Sequence, residues 1–193
     1  MYPFLRFVRE VSAARRAPRL ALLGAHVSTH RCWPWDLDPW VELNNGRTLT
    51  LYDLGRIPMA IRLGIVGTLR ERGWGFTVAG NTVRYRRRIK AFQRFTQVSR
   101  TLGWDKRFIY MEQSIWTRGE CCNHMLLRVA IVGGGQRSGI VAPAEFMAAM
   151  GHAEPSPPLP GWVQAWIAAD GERPWPPVLP GDLSGQRSND LPA

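Results

Sequence analysis

With 193 residues, 45% of them hydrophobic and nine of them Trp, the chain has the mass of one domain with a true core. Its apolar stretch near the N-terminus, Leu20 to Ala25, is far too short for a membrane span of about 20 residues, and no signal-peptide series is present. Three cysteines, two of them adjacent, make no disulfide framework, so a reduced, cytoplasmic setting is expected; the net charge of +10 suits nucleic acid, a membrane surface or a polyanionic ligand, although none of the common nucleic-acid modules is present.

Residues 1–25 read as a basic amphipathic helix, with Phe4, Leu5, Val8, Val11 and Ser12 near one face and Arg6, Arg9, Arg15 and Arg16 mostly elsewhere. Two readings stand for it: a solvated helix packed on the domain, or a peripheral membrane contact through its arginines and apolar face. Residues 26–150 read as the main domain. Residues 26–36 alternate as a strand, Val27, Thr29 and Arg31 against Ser28, His30 and Cys32. From Gly46 the spacing of Leu49, Tyr52, Ile57, Ala60, Ile61 and Leu63 is helical. Pro58 is expected to break or bend that helix near Gly55, and Gly73 to stop the helical region.

A sheet follows. Phe76 to Ile89, Phe95 to Leu102, Arg107 to Trp116 and Cys121 to Val132 read as four strands joined as an antiparallel meander. Phe95, Gln97, Ser99 and Thr101 share one face of the second of these. Gly133 to Gly139 reads as a loop, and Pro143 to Met150 as a short helix with proline at its start. Residues 151–193 form a Pro-rich C-terminal extension: an extended linker, a short helix over Trp162 to Ala169 placed to dock Trp162 and Trp166, and a final dozen or more residues expected to be disordered. The fold class is α+β, an antiparallel sheet of about five strands around a central helix.

The segment from Trp35 to Arg56 carries the chemistry. Asp36 and Asp38 end the first strand, and a short loop then delivers Asn44 and Asn45 to a helix start. A carboxylate facing the N–H groups of a helix start offers a base or nucleophile beside an oxyanion site, which suits attack on an acyl carbonyl. The order D-x-D-x-x-x-x-x-N-N-x-x-x-L, together with one strand, one long helix and four antiparallel strands, resembles the hotdog-fold acyl-CoA thioesterase superfamily, in its 4-hydroxybenzoyl-CoA thioesterase-like branch. There the motif runs roughly D-x-D-x-x-G-H-M-N-N-A-R-Y-L. The resemblance covers about residues 26–150.

It implies that Asp38 attacks the thioester or activates water, and does not separate nucleophile from general base. Taken alone, Asp38-Pro39 also reads as an Asx turn. Asn44 and Asn45 read as helix N-caps that also shape the carbonyl site. Three positions depart from the motif: Val41 stands for the glycine whose N–H polarises the carbonyl, Glu42 for the histidine and Thr48 for the tyrosine. A backbone donor at Val41 requires φ and ψ that a β-branched residue tolerates. Glu42 opposes an oxyanion unless it points away. Arg56 reads as an ion-pair partner of Asp53.

Arg84, Arg86, Arg87 and Arg88, at a strand end, match the place where the resemblance lays the phosphates of coenzyme A, for which forked guanidinium donors are suited; a solvated charged face is the other reading. The expected activity is hydrolysis of a fatty-acyl or aryl-CoA thioester, with coenzyme A part of the substrate and no metal or other cofactor implied. The alternative is a non-catalytic hotdog protein that binds acyl-CoA or acyl-carrier protein. A homodimer or tetramer is expected, because a sheet of this kind leaves a strand edge open. His26 and His30 on a strand, adjacent Cys121 and Cys122, and Gly133 to Gly139 make neither a metal site, a redox pair nor a phosphate loop.

Overall fold

The computed structural model describes residues 2–134 and 139–178. The chain divides into two compact units, Met1–Leu159 and Pro160–Ala193. The first holds α1 (Phe4–Arg16), β1 (His26–Arg31), a 3-10 turn (Pro34–Asp36), α2 (Asn45–Leu63), α3 (Ile65–Arg72), β2 (Gly75–Tyr85), β3 (Arg94–Trp104), β4 (Ile109–Thr117), β5 (Glu120–Gly133), β6 (Gly139–Val141) and α4 (Pro143–Ala149). The second holds α5 (Gly161–Gly171). The tail expected to be disordered falls mostly on residues 179–193, outside the described residues.

All strand pairs are antiparallel, in the order β1-β3-β4-β5-β2, with the short β6 against the end of β5. The expected meander therefore holds only for β3, β4 and β5. β2 crosses to the far side and pairs with β5, Tyr85 opposite Asn123 and Gly75 opposite Val132. The physical reason is the connector, residues 86–93. It makes no tight reversal, because its backbone is tied elsewhere: Arg86 and Arg87 N–H to Cys122 O, and Ile89 O to Leu43 N–H.

The sheet curls about α2, whose Leu51, Leu54 and Met59 are fully buried against Phe95, Ile115, Met125 and Leu127. Each such side chain contributes about 2 kcal/mol of burial. β3 alternates as its sequence implies, with Phe95, Gln97, Ser99 and Thr101 inward. Pro58 does not break α2, which runs unbroken to Leu63. Burial of Gly55, Pro58, Met59 and Leu63 on both sides of the proline outweighs one missing N–H. The break comes at Gly64, at φ 85°, and α3 then stops at Gly73, at φ 64°.

Gly55 lets the backbone of α2 lie directly on β3. A Cβ there would fall 2.5 Å from Gln97 Nε2 and 2.7 Å from Ser99 Oγ. The Gln97 and Gln113 amides use that proximity to donate to Tyr52 O at 3.0 and 2.9 Å.

α1 is shorter than residues 1–25, ending at Arg16 just before Pro18. Its inward stripe also differs from the expected face. Pro3, Phe7, Val11 and Ala14 turn toward the domain, whereas Phe4, Leu5 and Val8 are exposed. β1 likewise ends at Arg31 rather than residue 36, because the chain enters the 3-10 turn at Pro34.

Candidate active site

The segment between β1 and α2 is held by Asp36. Its side chain has no solvent exposure and receives Arg6 on both oxygens, at 2.7 and 2.9 Å, and Arg47 Nε at 2.7 Å. The Trp33 N–H donates to the same carboxylate at 3.0 Å, and the Asn44 N–H to the Asp36 carbonyl at 3.0 Å. Burial by itself would raise the pKa of Asp36, but the hydrogen bonds from Arg6, Trp33 and Arg47 outweigh it and hold the carboxyl below its ordinary value. One residue thus ties α1, the loop and the start of α2 together.

Asn44 caps α2, its Oδ1 accepting the Arg47 N–H at 2.9 Å while its carbonyl accepts the Thr48 hydroxyl at 3.1 Å. Asn45 is the first residue of the helix and is exposed. As at every helix start, the N–H groups of the first turn lack intrahelical acceptors and carry partial positive charge.

Asp38 is partly exposed and forms a turn. Its Oδ1 accepts the Trp40 N–H at 2.9 Å and the Glu42 N–H at 3.4 Å, so the Asx-turn geometry is present. Oδ2 accepts no hydrogen bond among the described residues. Val41 has φ 61°, the left-handed region that glycine occupies freely and a β-branched residue occupies at a cost of order 1–3 kcal/mol. The turn shape thus suits glycine although the residue is valine. Its N–H donates to Asp38 O at 3.0 Å, so the donor that the motif would lend to a carbonyl is engaged inside the turn. Glu42 forms an ion pair with Arg88 at 2.8 Å.

The arginine cluster divides between two openings. Arg86, Arg87 and Arg88 line a small cleft of about 220 Å³ with Glu42, Asn45 and Asn123, so the chain brings them to the helix start across some forty positions. The Tyr85 hydroxyl, whose pKa burial raises, bridges the two by donating to Asn45 O at 3.2 Å. Arg84 faces the outer side of the sheet opposite His124, where a groove of about 1080 Å³ also takes in Arg86 and Arg87. Neither Asp38 nor Asn44 lines either opening. Arg56 pairs with Asp53, as its spacing implies.

Two further residues escape sequence reasoning. Asp36 carries no sequence signal for its anchor role, since Arg6 and Arg47 lie thirty and eleven positions away. Tyr52 donates from its hydroxyl to Asn123 Oδ1 at 2.5 Å, linking the middle of α2 to the floor beside the cleft.

A model of the thioesterase-like superfamily matches residues 32–167. Among curated proteins, the chain is 33% identical to Protein THEM6 of Xenopus laevis over 57% of its own length and 54% of that protein. It spans about half the length of the curated relatives it matches. Among solved structures, the YbaW probable thioesterase of Escherichia coli superposes with a TM-score of 0.59 at 16% identity, covering 65% of this chain and 98% of that one. The DHNA-CoA thioesterase of Staphylococcus aureus superposes with a TM-score of 0.57 at 10% identity, covering 86% and 96%. At these identities the superpositions establish the fold.

Proposed function

Since the chain belongs to the thioesterase-like superfamily, we propose that it hydrolyses a fatty-acyl or aryl-CoA thioester at the start of α2, with Asp38 supplying the base or nucleophile. The observation that carries this reading is the convergence of Arg86, Arg87 and Arg88 with Asn45 on one cleft. It sets donors for phosphate beside a helix start, where negative charge is stabilised.

In the reaction the Asp38 carboxylate either adds to the thioester carbonyl, with water hydrolysing the acyl-aspartate afterwards, or takes a proton from an attacking water. Either way the C–S bond breaks, the sulfur leaves as thiolate and gains a proton, and the acyl group leaves as an acid. The Asn45 and Gly46 N–H groups that open α2 stabilise the oxyanion, the Arg47 N–H being held by the Asn44 cap, and Val41 contributes the turn rather than its own N–H. Arg84 extends the phosphate-binding surface onto the outer face of the sheet. The proposal includes a homodimer or tetramer. β2 is an 11-residue edge strand with Thr77, Val78 and Thr82 exposed and no charge before Arg84, the type of edge that pairs with a second copy.

A second reading, binding of acyl-CoA or acyl-carrier protein without turnover, draws on the engaged Val41 N–H and on Glu42 in the motif's histidine position. One experiment separates the two: thiol release by the purified chain from acyl-CoAs of graded length and from benzoyl-CoA. Turnover is expected, with Asp38→Asn reducing it about a hundredfold or more at unchanged folding. Replacing Arg86 and Arg88 with Ala should raise KM for acyl-CoA and barely affect a short thioester without the nucleotide. Wild-type rates in Asp38→Asn would move the chemistry elsewhere, and tight binding without turnover by the parent protein would establish the second reading.

A further inference from the structure

A groove of about 1020 Å³, with lining residues different from those of the cleft, runs between the start of α1 and the start of α2. Most of its wall is apolar. Phe4 and Leu5 of α1 stand on one side, and Trp33 and Trp35, stacked at 5.4 Å with nearly parallel rings, on the other. Leu5 is 90% exposed and Trp35 is 69% exposed, so two large apolar side chains stand open at the mouth among the described residues. At the base lie Arg6 and Arg47, each with a side chain only 13% exposed, and both paired to the single buried carboxylate of Asp36. Among the described residues that line the groove these three carry the charge, two guanidiniums to one carboxylate. An apolar channel ending at a partly neutralised pair of guanidiniums matches an amphiphile with a long chain and a compact anionic head.

We propose that this groove is a binding site for a long-chain carboxylate, with the alkyl chain between Phe4–Leu5 and the Trp33–Trp35 stack and the carboxylate on the Arg6–Arg47 pair. α1 precedes residues 32–167, so one wall is supplied from outside the segment that matches the thioesterase-like superfamily. The site does not depend on hydrolysis. It needs only the groove, although the acid released from a fatty-acyl thioester is of the same class.

Calorimetric titration of the full chain with monomeric laurate, myristate and dodecyltrimethylammonium, each below its micelle concentration, tests the proposal. Laurate should bind, myristate should bind more tightly by up to about fourfold per added methylene, and the cation of laurate's chain length should bind at least about tenfold more weakly. Leu5→Asp and Trp35→Ser alter exposed side chains, so the fold is spared; each should weaken laurate severalfold at unchanged melting temperature. The Asp38→Asn protein should bind laurate like the parent, which keeps this result separate from the fate of the catalytic reading. Absence of laurate binding, equal affinity for the cation, or unchanged affinity in both variants would overturn the site. Binding to phosphatidylglycerol vesicles without binding to monomeric laurate would also overturn it and assign the exposed side chains to a membrane surface.

Discussion

Replacing Asp36 with Asn separates anchoring from chemistry in the D-x-D element. The substitution keeps the volume and one acceptor oxygen but removes the carboxylate charge that Arg6 and Arg47 both pair with. Both guanidiniums sit within 2.7 Å of the present carboxylate, and both side chains are only 13% exposed, so water replaces the lost partner poorly. Breaking a buried ion pair from one side costs about 3–5 kcal/mol. In a chain of this size each kcal/mol lowers Tm by about 2–4 °C, which gives a fall on the order of 6–20 °C. Asp38→Asn, at a partly exposed turn where Asn also accepts the Trp40 N–H, should change Tm by less than about 2 °C while removing activity. Scanning calorimetry on the two variants and the parent is the assay.

The two variants should also part on acidification. The Asp36 pKa is lowered in the folded state, so the stabilisation it gives is complete above its unfolded value of 3.8 and is lost as the pH falls through the folded value. Asp36→Asn should therefore lack the steepest acid loss of the parent below about pH 4. A fall in Tm of less than 2 °C in Asp36→Asn, or equal falls in the two variants, would refute the assignment of Asp36 as the anchor.

Burial, with help from Arg62 at His26 and from Arg9 and Arg6 at His30, lowers both histidines to about 4. The unfolded chain takes up these protons first, so each histidine should withdraw up to about 3 kcal/mol of stability between pH 6.5 and 4 and little below, read as Tm against pH and absent when the two are replaced by Gln. Gly55→Ala should destabilise by about 1–3 kcal/mol in urea unfolding, because its Cβ would displace the buried Gln97 and Ser99 side chains; an unchanged midpoint would show that α2 can lift from β3. Val41→Gly should stabilise by about 1 kcal/mol, the relief of a left-handed φ at 61° less the added freedom of the unfolded chain, and a loss of stability would contradict the strain.

Local patterning was legible wherever one residue's environment depends on its near neighbours. The alternation of Phe95, Gln97, Ser99 and Thr101 marked the inner face of β3, the helical repeat marked α2, and Gly73 marked the end of α3, because periods of 2 and 3.6 and the left-handed stop are properties of short segments. The D-x-D and Asn-Asn spacing likewise placed a carboxylate-bearing turn ahead of a capped helix.

Other features depended on what lies across the fold. The same alternation is compatible with β2 beside β3 or beside β5, and the ties of residues 86–93 to Leu43 and Cys122 decided for β5. A proline inside a helix costs a hydrogen bond wherever it occurs, but only burial on both sides keeps α2 whole through Pro58. The apolar residues of α1 pointed to a face with Phe4, Leu5 and Val8, whereas packing against α2 turns Phe7 and Ala14 inward and leaves those three exposed. Two aspartates two positions apart look equivalent in a strand; the pairing of Asp36 with Arg6 and Arg47 makes one of them a buried anchor and leaves Asp38 at the turn. Segment chemistry and its spacing are written in the sequence, whereas the partners of a charge or a strand edge are selected by burial, since desolvation energy depends on everything that closes around a group.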